Sequence, residues 1–275
     1  MTLFGPWYVP HNPVMQRVAI VTGGAKPDSI GHAVALGLLE EQMHVAVADL
    51  YEAGFSTLSE CFCIRTDAND ADAVERMVCE VAGKFGRIDA LVNCVGGSWG
   101  ITAQDLTAPP PRGFRGVTNC SLEDWRTIIG ANLDSTFYAC RAAAPHLKKQ
   151  GGAIVNVASI AARKGIPPGA QGSSGPYAVA KAGVMALTRQ LALELGQFGV
   201  RANCVVPGVI ASGRLARVLE ISGKDQGPEG PLAQIPMRRV GTVAETAALI
   251  VALCTDDTSY MTGVMVDING ASYAA

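Results

Sequence analysis

The sequence predicts one α/β domain built on a doubly wound parallel sheet with helices on both faces. Short apolar runs alternate with helix-period segments almost to the end of the chain, which is the pattern of consecutive β-α units. The apolar runs are continuous rather than alternating, as expected for strands buried on both faces. The 275 residues suit one domain of this size, and neither an internal repeat nor a linker divides them.

Seven apolar runs are predicted to be strands, and five periodic segments between them are predicted to be helices. The strands are Arg17–Val21, His44–Asp49, Cys61–Arg65, Asp89–Val95, Ala153–Ala158, Arg201–Val206 and Val264–Ile268. The helices are Ile30–Gln42, Ala71–Phe85, Leu122–Gln150, Tyr177–Gln197 and Val243–Cys254. Two helices have a predicted N-terminal capping motif. Ser121-Leu-Glu-Asp124 resembles a capping box, and Thr242-Val-Ala-Glu245 is a complete capping box.

Three segments lie outside this regular pattern. Residues 1–16 form an N-terminal extension to a domain that spans 17–275. The extension lacks the basic start and apolar centre of a secretion signal, so we expect it to pack on the surface or on a neighbouring subunit. Residues 98–119 and 212–239 follow the carboxyl ends of strands, where ligands bind in open α/β sheets. They are predicted to form substrate walls or lids, with surface decoration and subunit contact as the alternatives.

Composition and charge argue against several classes of function. A net charge of -2 gives no basic surface for nucleic acid or an anionic membrane, and no apolar stretch reaches the roughly 18 residues of a membrane span. Eight scattered cysteines without a C-x-x-C pair predict reduced thiols and a cytoplasmic location. Four histidines without ligand spacing predict no metal site. The 49% of hydrophobic residues fit a covered sheet and an oligomer.

A glycine-rich turn joins the first predicted strand to the first predicted helix. Glycines such as Gly23 let the backbone approach a pyrophosphate, and the following helix presents its positive N-terminus. Asp49, at the end of the second strand, is placed to accept from both hydroxyls of an adenosine ribose. A 2′-phosphate would meet a like charge there, so this pair favours NAD over NADP. Lys26 indicates the opposite preference, since its ammonium could meet a 2′-phosphate.

Tyr177-Ala-Val-Ala-Lys181 places a phenol and an ammonium group on one face of a predicted helix. A nearby cation stabilises the phenolate and lowers the pKa of the tyrosine, so this pair could move a proton to or from a substrate hydroxyl. Alone the pair is a weak signal, because a Tyr and a Lys four residues apart usually form an ordinary packed or solvated pair. The Tyr177–Lys181 pair becomes informative only in combination with the other motifs of the chain.

Several motifs occur in a single order along the chain. They are Thr22-Gly23-Gly24 with Ile30-Gly31, Asn93-Cys-Val-Gly96, Asn132, Ser159, Tyr177-x-x-x-Lys181 and Pro207-Gly208. In this order they resemble the short-chain dehydrogenase/reductase (SDR) family, from about residue 17 to the C-terminus. The resemblance implies one Rossmann-type domain of about seven parallel strands, usually assembled into a homotetramer and acting on a small molecule.

The resemblance also implies a catalytic role for four residues. Tyr177 would be the general acid/base, and Lys181 would lower its pKa and hold the nicotinamide ribose. Ser159 would hydrogen-bond the substrate oxygen. Asn132 would anchor a water that relays protons through Lys181; the alternative is a helix residue bonded to a neighbouring strand. Ser173 or Ser174 could be mistaken for the catalytic serine, but Ser159 is preferred because it lies at a strand end.

The implied cofactor-binding residues surround the same strand ends. Asp67 resembles the carboxylate that accepts from the adenine amino group, and Asn93 the residue that ties the sheet together beside the adenine ribose. The glycine loop is about two residues longer than usual, and Ser29 could replace one phosphate contact by hydroxyl donation. The full set is Gly23, Ser29, Ile30, Asp49, Asp67, Asn93, Gly96, Tyr177, Lys181, Pro207, Gly208, Ile210 and Ser212.

The expected function is therefore hydride transfer between NAD(H) and a secondary alcohol or ketone. An NADPH-dependent ketoreductase that uses Lys26, and a regulator that binds NAD(H) without catalysis, are the alternatives. Trp99, Ile101 and Phe114 indicate a mostly apolar pocket for a medium-sized, aromatic or cyclic alcohol. Tyr273 is expected either to pack against a neighbouring protomer or to close a pocket.

Overall fold

A computed structural model describes residues 16–97, 116–167, 174–213 and 231–274. Within them, seven strands form one parallel sheet, which confirms the predicted fold class. The described residues contain nine strands in all, which are β1 Val18–Thr22, β2 His44–Asp49, β3 Phe62–Arg65, β4 Ala90–Asn93, β5 Gly152–Val157, β6 Val200–Pro207, β7 Ile210–Ala211, β8 Gly241–Thr242 and β9 Met265–Ile268. The order in the sheet is β3-β2-β1-β4-β5-β6-β9, and β7 pairs separately with β8. The order reverses between β1 and β4, so the carboxyl edge there is a topological switch point.

Helices cover both faces of the sheet. They are α1 Ile30–Glu40, α2 Ala71–Phe85, α3 Leu122–Ile129, α4 Ser135–Leu147, α5 Ala161–Lys164, α6 Gly175–Leu195 and α7 Val243–Cys254. Short 3-10 helices lie at Glu52–Thr57, Gly196–Phe198, Pro231–Gln234 and Asp256–Thr258. Helices α1 and α7 pack on one face, and α2, α4 and α6 pack on the other. The five helices predicted from the periodicity are all present, one of them in two pieces.

Successive strand residues contribute to opposite halves of the core. In β1, Ala19 and Val21 contact the α1–α7 layer, whereas Val18 and Ile20 contact the α2–α4 layer. All four side chains are fully buried. Because both faces are covered by helices, no position of the strand needs a polar side chain, which explains the continuous apolar runs in the sequence.

The prediction of one helix over Leu122–Gln150 was wrong. Helix α3 ends at Ile129, a π turn occupies Gly130–Asp134, and α4 begins at Ser135. The backbone N–H of Ser135 donates to the carbonyl of Gly130, five residues earlier, so one residue is added to the turn. π turns of this kind occur often at functional sites, and this one contains Asn132.

The two predicted helix starts are at the expected positions. Thr242 and Glu245 form a reciprocal capping box at the start of α7. At α3, the Ser121 hydroxyl accepts from the Asp124 backbone N–H at 2.9 Å. Each cap satisfies backbone donors that a helix N-terminus would otherwise leave without a partner.

Parts of the predicted domain organisation lie outside the described residues. These parts are residues 1–15 of the extension, 98–115 of the first insertion and 214–230 of the second. All eight cysteines lie inside the described ranges, and all are free thiols. Among the described residues, no helix is long and apolar enough to cross a membrane, and no three His, Cys, Asp or Glu side chains cluster as metal ligands.

Candidate active site

Ser159 and Tyr177 meet at the carboxyl edge of the sheet. Ser159 lies just beyond β5, where the Ala161 backbone N–H donates to its hydroxyl at 3.2 Å. Tyr177 lies in the first turn of α6, and its hydroxyl shares a hydrogen bond with the Ser159 hydroxyl. Ser174 is fully buried ahead of α6, and Ser173 lies outside the described residues. Ser159 is therefore the serine whose hydroxyl contacts the tyrosine.

Burial raises the pKa of Tyr177 above its ordinary value of 10.0, and the hydrogen bond with Ser159 opposes that rise. The lowering of the Tyr177 pKa by Lys181, which the family resemblance implies, stays a prediction. The Lys181 Nζ lies 5.9 Å from the centre of the Tyr177 ring and donates to the carbonyl of Val157 at 2.8 Å. Desolvation of the phenolate therefore prevails, and Tyr177 is protonated at neutral pH.

Lys181 is the cation of the site and is almost entirely buried, with 4% of its surface exposed. Burial lowers its pKa from 10.5 to about 8, and the nearby thiols of Cys204 and Cys94 act in the opposite direction. Both thiols are kept neutral, because burial raises the pKa of Cys94 to about 12 and that of Cys204 to about 11. Among Tyr177, Lys181 and these two thiols, the lysine is thus the group whose charge changes nearest to physiological pH.

Asn132 is fully buried in the π turn and connects α3 to the segment after β4. Its Nδ2 donates to the carbonyls of Gly97 at 3.0 Å and Ile128 at 2.9 Å, and its Oδ1 accepts from the Gly97 N–H at 2.9 Å. This bonding has the geometry of the structural alternative for Asn132, a residue that ties its helix to the neighbouring strand. The water relay stays a prediction.

The absence of a side chain at Gly96 leaves room for both Asn132 and Lys181. Its φ is +138°, and a Cβ atom there would lie 2.4 Å from the Asn132 Oδ1 and 3.1 Å from the Lys181 Nζ. Any side chain at this position would displace both groups, so glycine is required for the lysine to reach the strand edge.

The glycine loop packs tightly against the start of α1. A Cβ atom on Gly31 would approach the Gly23 carbonyl oxygen to 2.4 Å. Ser29 caps the helix, because its hydroxyl accepts from the His32 N–H at 3.1 Å and keeps its own hydrogen for another acceptor. The His32 ring Nδ1 lies 3.2 Å from the carbonyl of Gly24. Together these contacts hold the N-terminus of α1, including Ile30, at the switch point.

Asp49 lies at the end of β2 beside the same loop. Its Oδ2 accepts from the Ala25 N–H at 2.9 Å, and its Oδ1 accepts from the Tyr51 N–H at 3.0 Å. Asp49 is only partly buried. The Lys26 Nζ lies 3.7 Å from the place that a Cβ atom of Gly213 would occupy.

Asn93 belongs to a buried polar network that crosses three strands and reaches α6. Thr22, Asn93 and Asn156 are neighbours in the register of β1, β4 and β5. The Thr22 hydroxyl donates to the Asn93 Oδ1 at 3.3 Å, and the Asn93 Nδ2 donates to the Asn156 Oδ1 at 2.8 Å. The Asn156 Nδ2 then donates to the Thr188 hydroxyl at 2.9 Å. Asn93 thus links β1, β4 and β5 through side-chain hydrogen bonds.

The remaining predicted cofactor residues lie at the edges of this region. Asp67 follows β3, and its Oδ1 accepts from the Asn69 N–H at 2.9 Å. Pro207 ends β6, and the Gly208 N–H donates to the Ile268 carbonyl at 2.9 Å. Ile210 forms part of β7, and Ser212 follows that strand. The predicted cofactor-binding residues near β1 to β4 and those near β6 and β7 therefore lie at the same edge of the sheet.

Sequence reasoning missed three supporting residues. Asn156 had a signal, because an asparagine inside an apolar strand needs a buried partner. His32 had a weaker one, since it stands three residues after a capping serine. Arg163 donates through Nη2 to the Asp267 carboxylate at 2.8 Å from the short helix α5, and no periodic pattern predicts a helix of four residues.

The pattern of strand ends and buried polar groups agrees with a family match. The family model described as enoyl-(acyl carrier protein) reductase matches residues 23–270, which is most of the chain. The chain belongs to the short-chain dehydrogenase/reductase family. This SDR is 32% identical over 269 residues to 3-oxoacyl-[acyl-carrier-protein] reductase FabG of Staphylococcus aureus, with 94% of this chain and 99% of FabG covered.

Two further relatives extend the comparison. Cyclohexanol dehydrogenase of a Rhodococcus species is 31% identical over 283 residues, with 94% of this SDR and 96% of the relative covered. The structure of ElxO with NADP bound superposes with a TM-score of 0.79 at 27% identity, covering 94% of this chain and 99% of ElxO. The SDR family binds nicotinamide cofactors and carries out oxidoreductase chemistry, so this chain is an SDR oxidoreductase.

Proposed function

We propose that this SDR transfers a hydride between NAD(H) and a secondary alcohol or ketone, with Tyr177 as general acid/base. The hydrogen bond between Ser159 and Tyr177, next to the buried Lys181, is the observation that carries this proposal. A protonated Tyr177 would donate its proton to a carbonyl oxygen in reduction, and its phenolate would accept the proton of a hydroxyl in oxidation. Ser159 would hold that oxygen in place.

A nicotinamide dinucleotide fits the donors and acceptors at this edge. The start of α1, with Gly23, Ser29 and Ile30, offers N–H groups and a hydroxyl to a pyrophosphate. Asp49 offers its carboxylate to the adenosine ribose and is held by two backbone donors. The other proposed contacts are Asp67, Asn93, Gly96, Tyr177, Lys181, Pro207, Gly208, Ile210 and Ser212. When bound, the nicotinamide supplies or accepts the hydride.

NAD is proposed over NADP because of the position of Asp49. A 2′-phosphate beside this carboxylate would meet a like charge. The Nζ of Lys26, the residue that could favour NADP, lies beside Gly213. An NADPH-dependent ketoreductase is the second candidate, and it has support from the NADP bound to ElxO and from the reductase name of FabG.

The proposed substrate is a medium-sized, mostly apolar alcohol or ketone. The relatives named after a cyclohexanol and a 3-oxoacyl group both support a substrate whose reacting carbon bears an alcohol or ketone oxygen. Cyclohexanol and a short 3-oxoacyl thioester are therefore the first compounds to test, each with NAD(H) and NADP(H).

A cytoplasmic homotetramer is proposed for the assembly. Large apolar side chains are exposed on two helices, with Phe137 44% exposed on α4 and both Val179 (45%) and Leu193 (80%) exposed on α6. Contacts between subunits would cover such side chains. Size-exclusion chromatography with light scattering tests this assembly, and a monomer would contradict it.

Replacing Tyr177 by Phe tests the catalytic proposal. The Tyr177→Phe variant removes only the hydroxyl, so NADH binding should stay within about twofold of the wild type while turnover falls at least 100-fold, the order of a lost general acid. Tyr260→Phe is the matched control, because that tyrosine is fully exposed. NADH fluorescence gives the binding, and initial rates give the turnover. Wild-type turnover in Tyr177→Phe would refute the assignment.

A further inference from the structure

Helix α5 begins two residues after Ser159 and has only four residues, Ala161–Lys164. A helix of this length has no stability of its own, since isolated helices shorter than about 12 residues are marginal in water. Its position must therefore come from tertiary contacts, which include packing against α6 and hydrogen bonds at its two ends. At the first end, the Ile160 N–H donates to the carbonyl of Pro207 at 2.8 Å.

The other end of α5 is held by Arg163. The guanidinium donates through Nη2 to the Asp267 Oδ2 at 2.8 Å and through Nε to the Asp267 Oδ1 at 3.3 Å. A third bond, at 3.4 Å, reaches the carbonyl of Met265. Asp267 and Met265 both belong to β9, the edge strand of the sheet. The side chains of the pair are 20% and 27% exposed, so this two-pronged bond is better shielded than an ordinary surface ion pair.

The chain beyond β9 also returns to this arginine. The Tyr273 ring centre lies 5.6 Å from the Arg163 guanidinium carbon, a cation–π distance. The Asn269 Nδ2 donates to the Tyr273 carbonyl at 3.1 Å and closes the turn. Tyr273 thus packs against α5 of its own chain, and its contact with a neighbouring protomer or a pocket stays a prediction.

We propose that Arg163 is a positioning residue that orients the Ser159 hydroxyl through α5, using β9 and Tyr273 as its fixed support. This inference rests on the proposed function, in which Ser159 holds the substrate oxygen and contacts Tyr177. The Ser159 hydroxyl accepts from the Ala161 N–H, so a shift of α5 moves that donor and turns the hydroxyl away from Tyr177. Asp267 is the necessary counterpart of Arg163.

Two variants interrupt the support, and two others serve as references. Arg163→Met removes the guanidinium but keeps a long apolar chain. Asp267→Asn removes the carboxylate charge but keeps the size of that side chain. Arg163→Lys keeps the charge without the two-pronged geometry, so it should restore only part of the effect. Lys164→Met is the control, because Lys164 is an exposed cation on the same four-residue helix.

Kinetics give the first readout. We expect Arg163→Met and Asp267→Asn each to lower kcat for the alcohol or ketone about tenfold, with the KM for NADH unchanged and Lys164→Met equal to the wild type. The double variant should lose no more than either single variant, since both remove the same support. A drop in thermal stability with unchanged kcat would mean that the ion pair is only structural, and it would overturn the proposal.

NMR gives a second readout that needs no turnover. With tyrosine labelled at Cζ, the Tyr177 signal is assigned by its loss in Tyr177→Phe, and Ser159→Ala gives its shift when the hydrogen bond is absent. In Arg163→Met and Asp267→Asn, the signal should move towards the Ser159→Ala value. An unchanged signal would overturn the positioning role. Absence of any oxidoreductase activity in the wild type would instead refute the proposed function, with the NMR result still testing the orientation of Ser159.

Discussion

Replacing Lys181 by Met should change the pH dependence of stability in a defined way. The pKa of Lys181 is about 8 in the folded protein, compared with 10.5 for the free side chain, because burial disfavours the ammonium form. The difference of about 2.5 pH units corresponds to about 3 kcal/mol at about 1.4 kcal/mol per unit. The folded protein therefore bears a cost for holding this charge at neutral pH.

The sign follows from proton linkage. Between pH 8 and 10.5 the unfolded chain still binds the lysine proton that the folded protein has released. The free energy of unfolding of the wild type therefore gains a contribution from Lys181 that rises with pH across this window and is lost as the pH falls through 8. Lys181→Met lacks this contribution. The stability of the variant minus that of the wild type should fall by about 2–3 kcal/mol from pH 7 to pH 10.

Urea unfolding at a series of pH values, at one fixed protein concentration, measures this difference. The variant also leaves the Val157 carbonyl without its donor, which lowers its stability by roughly the same amount at every pH. The slope with pH, rather than the stability at one pH, is therefore the diagnostic quantity. The buried thiols titrate in both proteins, so their contribution largely cancels.

Lys149→Met is the matched control for this experiment, since Lys149 is exposed after α4 and should give no slope. A difference that stays flat between pH 7 and 10 would show that the Lys181 ammonium is held in the fold without a desolvation cost. That result would also remove the physical reason for a lysine that titrates near physiological pH.

Two further predictions follow from the contacts around the site. Asp49→Asn should raise the ratio of kcat/KM with NADP to kcat/KM with NAD about tenfold or more, since the like charge opposing a 2′-phosphate is removed. Initial rates with both cofactors measure the ratio, Asp72→Asn is the control, and an unchanged ratio would remove Asp49 as the selector. Asn156→Leu should cost about 2–4 kcal/mol of unfolding free energy, because it breaks the bonds to Asn93 and Thr188 inside the core. Urea unfolding tests this against the exposed Asn119→Leu, and a loss below about 1 kcal/mol would show that the network adds little.

The sheet was predictable because each strand is buried on both faces. In β1, four successive residues are fully buried, so the strand appears in the sequence as an apolar run. The location of the site at the carboxyl edge of the sheet could be predicted for the same reason. Asp49 and Ser159 come at the ends of such apolar runs, and parallel strands end at one edge. Helix periodicity likewise placed α2 and α7 at their observed bounds.

The elements that were missed depend on contacts between distant parts of the chain. The π turn brings Asn132 to Gly97, 35 positions away in sequence, and the local helical pattern runs through it unbroken. Helix α5 is fixed by Asp267, 104 positions away. The direction of the Tyr177 pKa shift also depends on distant contacts, because a sequence shows that a lysine is four residues away but not that the phenol is buried.

The two opposite pKa shifts at the site have one cause and complementary effects. Burial disfavours the charged form of each group, so it raises the pKa of Tyr177 and lowers that of Lys181. A neutral phenol is the correct state for donating a proton to a carbonyl oxygen, and it would be the wrong resting state for a base. A lysine with a pKa of about 8 lies close enough to neutrality to exchange protons with solvent. The apolar surroundings of Tyr177 and Lys181 therefore favour proton donation at the proposed site. The hydrogen bond with Ser159 limits how far burial raises the pKa of the Tyr177 phenol.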